Sequence, residues 1–173
     1  MDFGDGEELL TARLYLRPLV GSDAEAVIAI CGDWEVARRL SRVPHPYGYA
    51  DFRFFLEQVV VMEPTWAIVL KETNQLAGVI GLAPRQDGQS AELGFFIGRA
   101  HWGQGLATEA GQAVVRLGTE DLGYPRLTAG YHTDNPASGR VLERLGFKPI
   151  GVSNHMCLAE GRDKPAIDVE LLA

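Results

Sequence analysis

The stretch that decides the fold runs Arg99-Ala-His-Trp-Gly-Gln-Gly-Leu-Ala-Thr-Glu109, a glycine-rich turn between a strand-like run and a helix. Gly103 and Gly105 let the backbone approach a ligand without interference from side chains. The first amide N–H groups of the following helix have no partners within that helix, and the helix dipole adds partial positive charge there. This order of elements predicts a seat for a phosphate or pyrophosphate.

The turn alone leaves a second interpretation open. It lacks the third glycine of the dinucleotide-binding fingerprint and the Gly-Lys-Ser/Thr of a P-loop. The same glycines would also serve a tight connection that binds nothing. Apolar residues at helical spacing predict the helix that follows, and Gly111 and Gly118 within it predict close packing over a sheet.

The strand predicted before the turn covers residues 91–98, Ala-Glu-Leu-Gly-Phe-Phe-Ile-Gly. Its aromatic and β-branched residues favour an interior strand, and Gly94 suggests a bulge or a close backbone approach. Glu92 lies in this apolar run and has two interpretations. It is either a strand-end carboxylate that faces water or an arginine, or a site carboxylate held near a reacting amine.

A second punctuated segment lies at residues 135–147, after a predicted strand at 126–132. Asn135 is a favoured N-cap, Pro136 suits the first helical position, and Gly146 is predicted to end the helix in a left-handed conformation. The chain therefore predicts a β-α-β-α core. At this point Asn135 can be a cap alone, and Ser138 a first-turn residue alone.

Together these segments resemble a known family. Trp102-Gly-Gln-Gly-Leu-Ala-Thr-Glu-Ala110, followed by Asn135-Pro-Ala-Ser138 and Leu142-Glu-Arg-Leu-Gly-Phe147, is similar to the GNAT superfamily of N-acetyltransferases. The similarity extends to the branch that contains the ribosomal-protein N-terminal (alanine/serine) acetyltransferases, which has residues like those at 33–36 and 45–47. It covers nearly the whole chain, from Arg13 to the closing segments.

The resemblance implies an α/β (α+β) fold with a mixed, mostly antiparallel sheet of about seven strands, centrally splayed and flanked by helices. Further strands are predicted at 14–19, 66–70, 76–82, 148–158 and 166–172, and a helix at 49–62. Ser22-Asp-Ala-Glu25 predicts a capping box that opens another helix. Residues 1–173 are predicted to form a single domain.

The resemblance also implies acetyl-CoA as co-substrate, with its pyrophosphate on the amides of residues 103–108 and its pantetheine arm between strands 91–97 and 126–132. An amide near Phe95 or Ile97 would polarise the thioester carbonyl. The implied cofactor-binding residues are Phe95, Phe96, Ile97, Trp102, Gly103, Gln104, Gly105, Leu106, Ala107, Thr108, Asn135 and Ser138. Trp102 replaces a Gln or Arg of much of the superfamily, which removes a side-chain contact to phosphate; Arg99, His101 or Arg140 could add another.

Aminolysis of a thioester needs an unprotonated amine, orientation and a stabilised oxyanion, but no protein nucleophile. Glu92 is the first candidate for the base, directly or through water, with His132 and Asp134 as alternatives. For His132 the favoured interpretation is an ordinary strand-end histidine. Leu142 stands where many relatives have a tyrosine acid, so Ser138 is the candidate acid, unless the departing thiol needs none.

Composition predicts a soluble domain without nucleic-acid or membrane partners. Sixteen basic and 23 acidic residues give a net charge of −7, which suits a cationic acceptor or simply solubility. Neither a signal peptide nor an apolar stretch of membrane-spanning length is evident. Cys31 and Cys157 form no metal or redox motif, and the histidines are dispersed, so reduced thiols, no metal and a cytoplasmic location are expected.

The sequence therefore predicts an acetyl-CoA-dependent N-acetyltransferase that acts by direct attack in a ternary complex. The acceptor is a primary amine: a protein N-terminus, or a small amine, amino acid or amino-sugar drug. The alternative is a non-catalytic acyl-CoA-binding or sensing module, in which Glu92 and Ser138 are structural. The oligomeric state is open between monomer and homodimer.

Overall fold

A computed structural model describes residues 7–173. The sequence predicts no signal peptide at the start of the chain. Most of that segment, residues 1–6, is outside the described residues. The strands are β1 (Leu9–Leu10), β2 (Leu14–Pro18), β3 (Thr65–Leu70), β4 (Leu76–Pro84), β5 (Ser90–Ile97), β6 (Arg126–His132), β7 (Lys148–Cys157) and β8 (Arg162–Leu172). The α-helices are α1 (Ala24–Cys31), α2 (Trp34–Ala37), α3 (Tyr49–Phe54), α4 (Leu106–Arg116) and α5 (Pro136–Arg144).

The strands form one mixed sheet in the order β1-β2-β3-β4-β5-β6-β8-β7. Every neighbouring pair is antiparallel except β5 and β6, which are parallel. The predicted architecture is confirmed, with one strand more than the expected seven. The additional strand is β1, whose two residues are too few to give a periodic sequence signal.

Helices cover both faces of the sheet. On one face, Leu106 and Val114 of α4 and Leu142 of α5 pack in a core with Leu93 and Leu127. This is called the α4/α5 face. On the opposite, α1/α3 face, a smaller core is built from Val27 and Phe52 against Ala67 and Val79 of the sheet, with Phe96 at its margin. Since side chains alternate along a strand, odd-numbered residues of β5 face α4 and even-numbered ones, Glu92 included, face the α1 side.

Three glycines of the second half confirm the close packing and the cap that the sequence predicts. A Cβ on Gly111 would lie 2.6 Å from a methyl group of Leu145, and one on Gly118 would lie 3.2 Å from Leu82. Gly146 has φ +96° at the end of α5, the left-handed conformation expected there. These contacts hold α4 against the sheet and against α5.

Other local predictions are wrong in detail. The predicted capping box at Ser22–Glu25 does not form, because Asp23 instead accepts a hydrogen bond from the Val20 amide at 2.9 Å and pairs with Arg17 at 2.8 Å. The helix expected at 49–62 ends earlier, in a π-helical turn at Phe55–Val59. Gly94 lies in regular register opposite Gly81, so it makes no bulge, and a Cβ there would meet open space.

Candidate functional site

The two parallel strands at the centre of the sheet pair over only three residues each. Their register joins Ser90 to Arg126, Ala91 to Leu127 and Glu92 to Thr128. Among the described residues beyond that point, β5 keeps pairing with β4 and β6 with β8, but 93–97 do not pair with 129–132. The facing edges of the two strands therefore separate into a splay whose backbone groups can pair with an extended ligand.

The glycine turn lies at the C-terminal end of β5. Gly103 and Gly105 have φ of +74° and +76°, and no side chain caps the start of α4. A Cβ on Gly103 would meet nothing within 4 Å, so both the conformation and the space above the turn suit an approaching ligand. Gln104 is exposed, Ala107 and Thr108 are half-buried, and the hydroxyl oxygen of Thr108 is buried without a hydrogen-bond partner among the described residues.

Leu106 belongs to the turn through its backbone alone. Its side chain is only 2% exposed and lies in the main core. As the first helical residue, it presents an amide N–H with no acceptor inside the helix. The turn therefore offers backbone donors above a helix that is firmly packed below.

Arg13 and Glu109 fix the turn to the start of β2. One carboxylate oxygen of Glu109 accepts hydrogen bonds from the Thr11 hydroxyl at 2.6 Å and the Arg13 amide at 2.7 Å. Its other oxygen accepts from Arg13 Nε at 2.7 Å, and Nη1 of Arg13 donates to the Gln104 carbonyl at 2.9 Å. Burial alone would raise the pKa of Glu109, but these hydrogen bonds outweigh it, and the pKa lies below its ordinary value.

Trp102 closes the corner between β5 and the turn. Its indole N–H donates to the Ile97 carbonyl at 2.7 Å, and the Arg39 guanidinium lies 5.0 Å from the ring centroid. On the same side, Arg99 pairs with Asp33 at the start of α2 at 2.9 Å. Trp102 is thus fixed to the end of β5 by its indole N–H, and the Arg39 guanidinium lies over its ring.

At the start of α5 the predicted cap is present. The Asn135 side chain accepts a hydrogen bond from the Ser138 amide at 3.4 Å. The Ser138 side chain is half-buried. The next residue, Gly139, lies against the ring of Tyr131, since a Cβ there would be 2.6 Å from the phenol ring. Asn135 and Ser138 therefore stand at the α5 side of the splayed end of β6.

Glu92 lies where the splay begins, on the α1/α3 face. Its carboxylate forms an ion pair with Arg85, and about a third of its side chain is exposed (36%). It lines a cavity of about 420 Å³, together with Arg85, Asp87, Ser90, Arg126, Thr128, Ala129, Ile150, His155, Asp168 and Val169. The Oγ1 atom of Thr128, paired with Glu92 across the strands, is buried without a partner among the described residues.

Next to this cavity, the end of β6 is occupied by a buried ion network. Lys164, with a side chain only 3% exposed, contacts Asp134 at 2.7 Å, Glu160 at 3.0 Å and the Arg38 carbonyl at 2.9 Å. Burial would raise the pKa of Asp134, yet the Lys164 ammonium holds it below its ordinary value. His132 is 2% exposed, and burial and then Lys164 lower its pKa, so it is neutral at pH 7.

The arrangement brings the sequence-predicted residues together unevenly. The turn, the splayed strands and the start of α5 meet around the splay, whereas Glu92 lies at its closed end. Asp134 belongs to the ion network around the buried Lys164. His132 is buried beside that network, and neither of its ring nitrogens has a hydrogen-bond partner among the described residues. Sequence reasoning missed Arg13, Glu109, His155 and Asp168. Arg13 and Glu109 are 96 positions apart, and only the paired charges at the start of β2 and the first turn of α4 could have suggested the link.

The cysteine prediction concerns two buried, free thiols, Cys31 and Cys157. Burial raises the pKa of the Cys31 thiol to about 12. Within residues 7–173, no helix combines the length and the apolar character that a membrane crossing requires. In that same range, no three histidine, cysteine or acidic side chains are grouped as metal ligands.

Most of the chain matches a known protein family. Residues 13–148 match the family profile described as Acetyltransferase (GNAT) domain. The uncharacterized N-acetyltransferase YoaA of Bacillus subtilis is 36% identical over 157 residues, which cover 83% of this chain and 84% of YoaA.

Solved structures agree in fold. An acetyltransferase of the GNAT family from Bacillus anthracis aligns with a TM-score of 0.85 over 96% of this chain and 98% of its own, at 22% identity. RimL, a ribosomal L7/L12 alpha-N-protein acetyltransferase solved in complex with coenzyme A, aligns with a TM-score of 0.84 over the same shares, at 18% identity.

Proposed function

The chain belongs to the GNAT acetyltransferase family, and we propose that it transfers an acetyl group from acetyl-CoA to a primary amine. The observation that carries the proposal is the interrupted pairing of β5 and β6, which stops after Glu92 and Thr128. It leaves an open strand edge directly before a turn with two left-handed glycines and a helix start. An extended arm that ends in a pyrophosphate matches both features.

The residues present fit acetyl-CoA. The amides of residues 103–108 would receive the pyrophosphate, because the start of α4 supplies donors and partial positive charge. The Gly103 and Gly105 conformations leave that approach open. Arg13, with half of its side chain exposed beside Gly105, adds a cation at the same place. The pantetheine arm would pair with residues 95–97 and pass near Asn135 and Ser138.

The chain's own groups then orient the reactants. Holding the amine and the thioester in attack geometry supplies several kcal/mol of the barrier, up to about 7–11 in favourable cases. A backbone amide near Phe95 or Ile97 would stabilise the oxyanion that forms on the thioester carbonyl. Glu92 would attract the amine into the cavity and accept its proton directly or through water. Ser138 would donate a proton to the departing sulfur.

The acceptor class is a primary amine, either a protein N-terminus or a small amine. The name of RimL, whose fold is the same, supports the first, and the net charge of −7 suits a cationic acceptor of either kind. We further propose that residues 1–173 act as one domain, without a metal, a nucleic acid or a membrane. We also propose a cytoplasmic location, which an intracellular co-substrate and the two free thiols support.

An acceptor screen tests the proposal. The purified chain is incubated with acetyl-CoA and hexapeptides that begin with alanine or serine, free amino acids, spermidine or kanamycin. Thiol release and the mass of the product are then measured. We expect one amine class to gain 42 Da with stoichiometric release of coenzyme A, a mass fixed by replacing a hydrogen with an acetyl group. Tight acetyl-CoA binding with no acetylated product would favour the non-catalytic sensing module.

A further inference from the structure

Resting on this proposed function, we propose that His155 is the general base that deprotonates the acceptor amine, and that Asp168 is its positioning residue. In this assignment His155 takes the place of Glu92 as the base: the Glu92 carboxylate would attract the cationic amine, and His155 would accept its proton. His155 lies on β7 and Asp168 on β8, far along the chain from the glycine turn and from Asn135–Ser138.

The His155 imidazole lies against the splayed part of β6. A Cβ on Gly130 would lie 2.5 Å from Cε1 of His155 and 3.2 Å from its Nδ1, so the ring stands directly over the Gly130 backbone. Gly130 is two residues beyond Thr128, the last residue of β6 that pairs with β5. His155 therefore reaches over the splayed part of β6, where the thioester is proposed to lie. Glycine at position 130 is what makes room for it.

Asp168 fixes the orientation of the His155 ring. Nε2 of His155 lies 2.8 Å from Oδ1 of Asp168, and a carboxylate only accepts hydrogen bonds. Nε2 therefore carries the proton in the neutral ring, and the lone pair lies on Nδ1. Nδ1 has no hydrogen-bond partner among residues 7–173. Asp168 also stabilises the imidazolium that forms when Nδ1 takes a proton, as the carboxylate does in other histidine bases.

His155 is better placed than Glu92 to accept a proton. Both residues line the 420 Å³ cavity, and the His155 side chain is 28% exposed. The Glu92 carboxylate is already paired with Arg85, so protonating it would break an ion pair. Among the described residues, Nδ1 of His155 has no hydrogen-bond or ion-pair partner that an incoming proton would displace. Above Gly94, which faces the same side of the sheet, open space leaves a path for the amine.

The cationic amine first gives one proton to Nδ1 of His155, which releases it to water. The neutral amine nitrogen then forms a bond to the thioester carbonyl carbon and loses a second N–H proton as the carbon–sulfur bond breaks. The departing thiolate takes up one proton, relayed by the Ser138 hydroxyl, so the products are the amide, the free thiol and one proton released to water. Charged and titratable groups face His155 from every neighbouring strand: Asp168, Lys164, His132, Glu92, Arg85, Arg126 and Asp87.

The test uses the amine from the acceptor screen with the highest kcat/KM, across pH 5–9. His155→Gln should lower kcat by about 10²–10⁴ and abolish the rising limb of the pH profile. Its Kd for acetyl-CoA should stay within twofold of wild type. Asp168→Asn should shift that limb to lower pH, since the imidazolium loses its partner. Glu92→Gln should raise KM more than it lowers kcat. Asn154→Ala, exposed on the same strand, is the matched control.

Each outcome decides between the accounts. A His155→Gln chain with kcat within threefold of wild type and an unchanged pH profile would overturn the assignment while leaving the proposed function intact. If His155→Gln does not fold, Asp168→Asn decides alone, and an unmoved acidic limb would overturn the assignment. Wild-type protein that acetylates none of the amines would contradict the proposed function itself, and the role of His155 with it.

Discussion

Replacing Glu109 with Gln should loosen the glycine turn in a pH-dependent way. The carboxylate accepts three hydrogen bonds, from Thr11 at 2.6 Å and from the amide and Nε of Arg13 at 2.7 Å each. A carboxamide can keep the two bonds to one oxygen but sets an NH₂ donor against Arg13 Nε. Because the Glu109 side chain is only 17% exposed, the mismatch is poorly relieved by water.

The expected loss is about 1–2 kcal/mol at pH 7, since hydrogen bonds to charged groups contribute about 1.5–3 kcal/mol and the half-exposed arginine reduces that. For a chain of this size the loss corresponds to a fall in Tm of about 2–8 °C. The pKa of Glu109 is lower in the folded chain than its ordinary value of 4.5. The stability that the Glu109 carboxylate contributes is therefore fully present above pH 4.5. It is lost as the pH falls through the pKa of Glu109 in the folded chain.

Urea unfolding of wild type and Glu109→Gln at pH 7 and at pH 3.5 measures this difference. Glu120→Gln serves as the control, because Glu120 lies exposed just beyond the same helix. The difference in free energy of unfolding between wild type and Glu109→Gln should be smaller at pH 3.5 than at pH 7. The free energy of unfolding of Glu120→Gln should stay within about 0.5 kcal/mol of wild type at both pH values. A gap of equal size at the two pH values would refute the reasoning, since the ionised carboxylate would then carry none of the stability.

Three further predictions concern packing, thiols and the start of α5. Gly111→Val should destabilise the chain by about 1–3 kcal/mol in urea unfolding, because its side chain would collide with Leu145; unchanged stability would show that the helices can separate freely. Native Cys31 should resist thiol reagents at pH 8, where a pKa of about 12 leaves about 10⁻⁴ of it as thiolate, whereas urea should expose it; rapid native labelling would contradict its burial. Asn135→Ala should lower the free energy of unfolding by about 1 kcal/mol, because the cap of α5 is lost. Ser138→Ala should leave the free energy of unfolding within about 0.5 kcal/mol of wild type but lower kcat. The opposite pattern would make Ser138 the structural residue.

Local patterns were enough to predict the elements around the splay. The glycine turn, the helix after it and the capped helix at 136–144 all follow from short-range preferences that the structure obeys. The close packing of Gly111 and Gly118 also follows, because glycine in a helix costs stability unless a neighbour needs the space. The resemblance to the acetyltransferases supplied the mixed sheet and its splay, which no local pattern encodes.

The rest depends on contacts between distant segments. Nothing near Glu109 in sequence indicates that it will meet Arg13, or that His155 will stand over Gly130 and meet Asp168. The burial of Lys164 is equally hard to predict, since only Glu160 among its three oxygen partners is near it in sequence, and Asp134 and the Arg38 carbonyl come from distant parts of the chain. The capping box lies two residues before the predicted one, because the Asp23 carboxylate accepts from the Val20 amide and pairs with Arg17 of the preceding strand.

The binding of acetyl-CoA at the glycine turn tests the central claim most directly. Calorimetry would compare wild type, Gly105→Val and Gly123→Val. Both glycines have similar positive φ, +76° and +71°, so each substitution carries the same left-handed strain of about 1–2 kcal/mol, but Gly123 lies beyond the far end of α4. We expect micromolar binding by wild type and Gly123→Val, and an affinity at least tenfold weaker, about 1.4 kcal/mol, in Gly105→Val. Equal affinity in all three proteins, or no binding by wild type at millimolar acetyl-CoA, would contradict it.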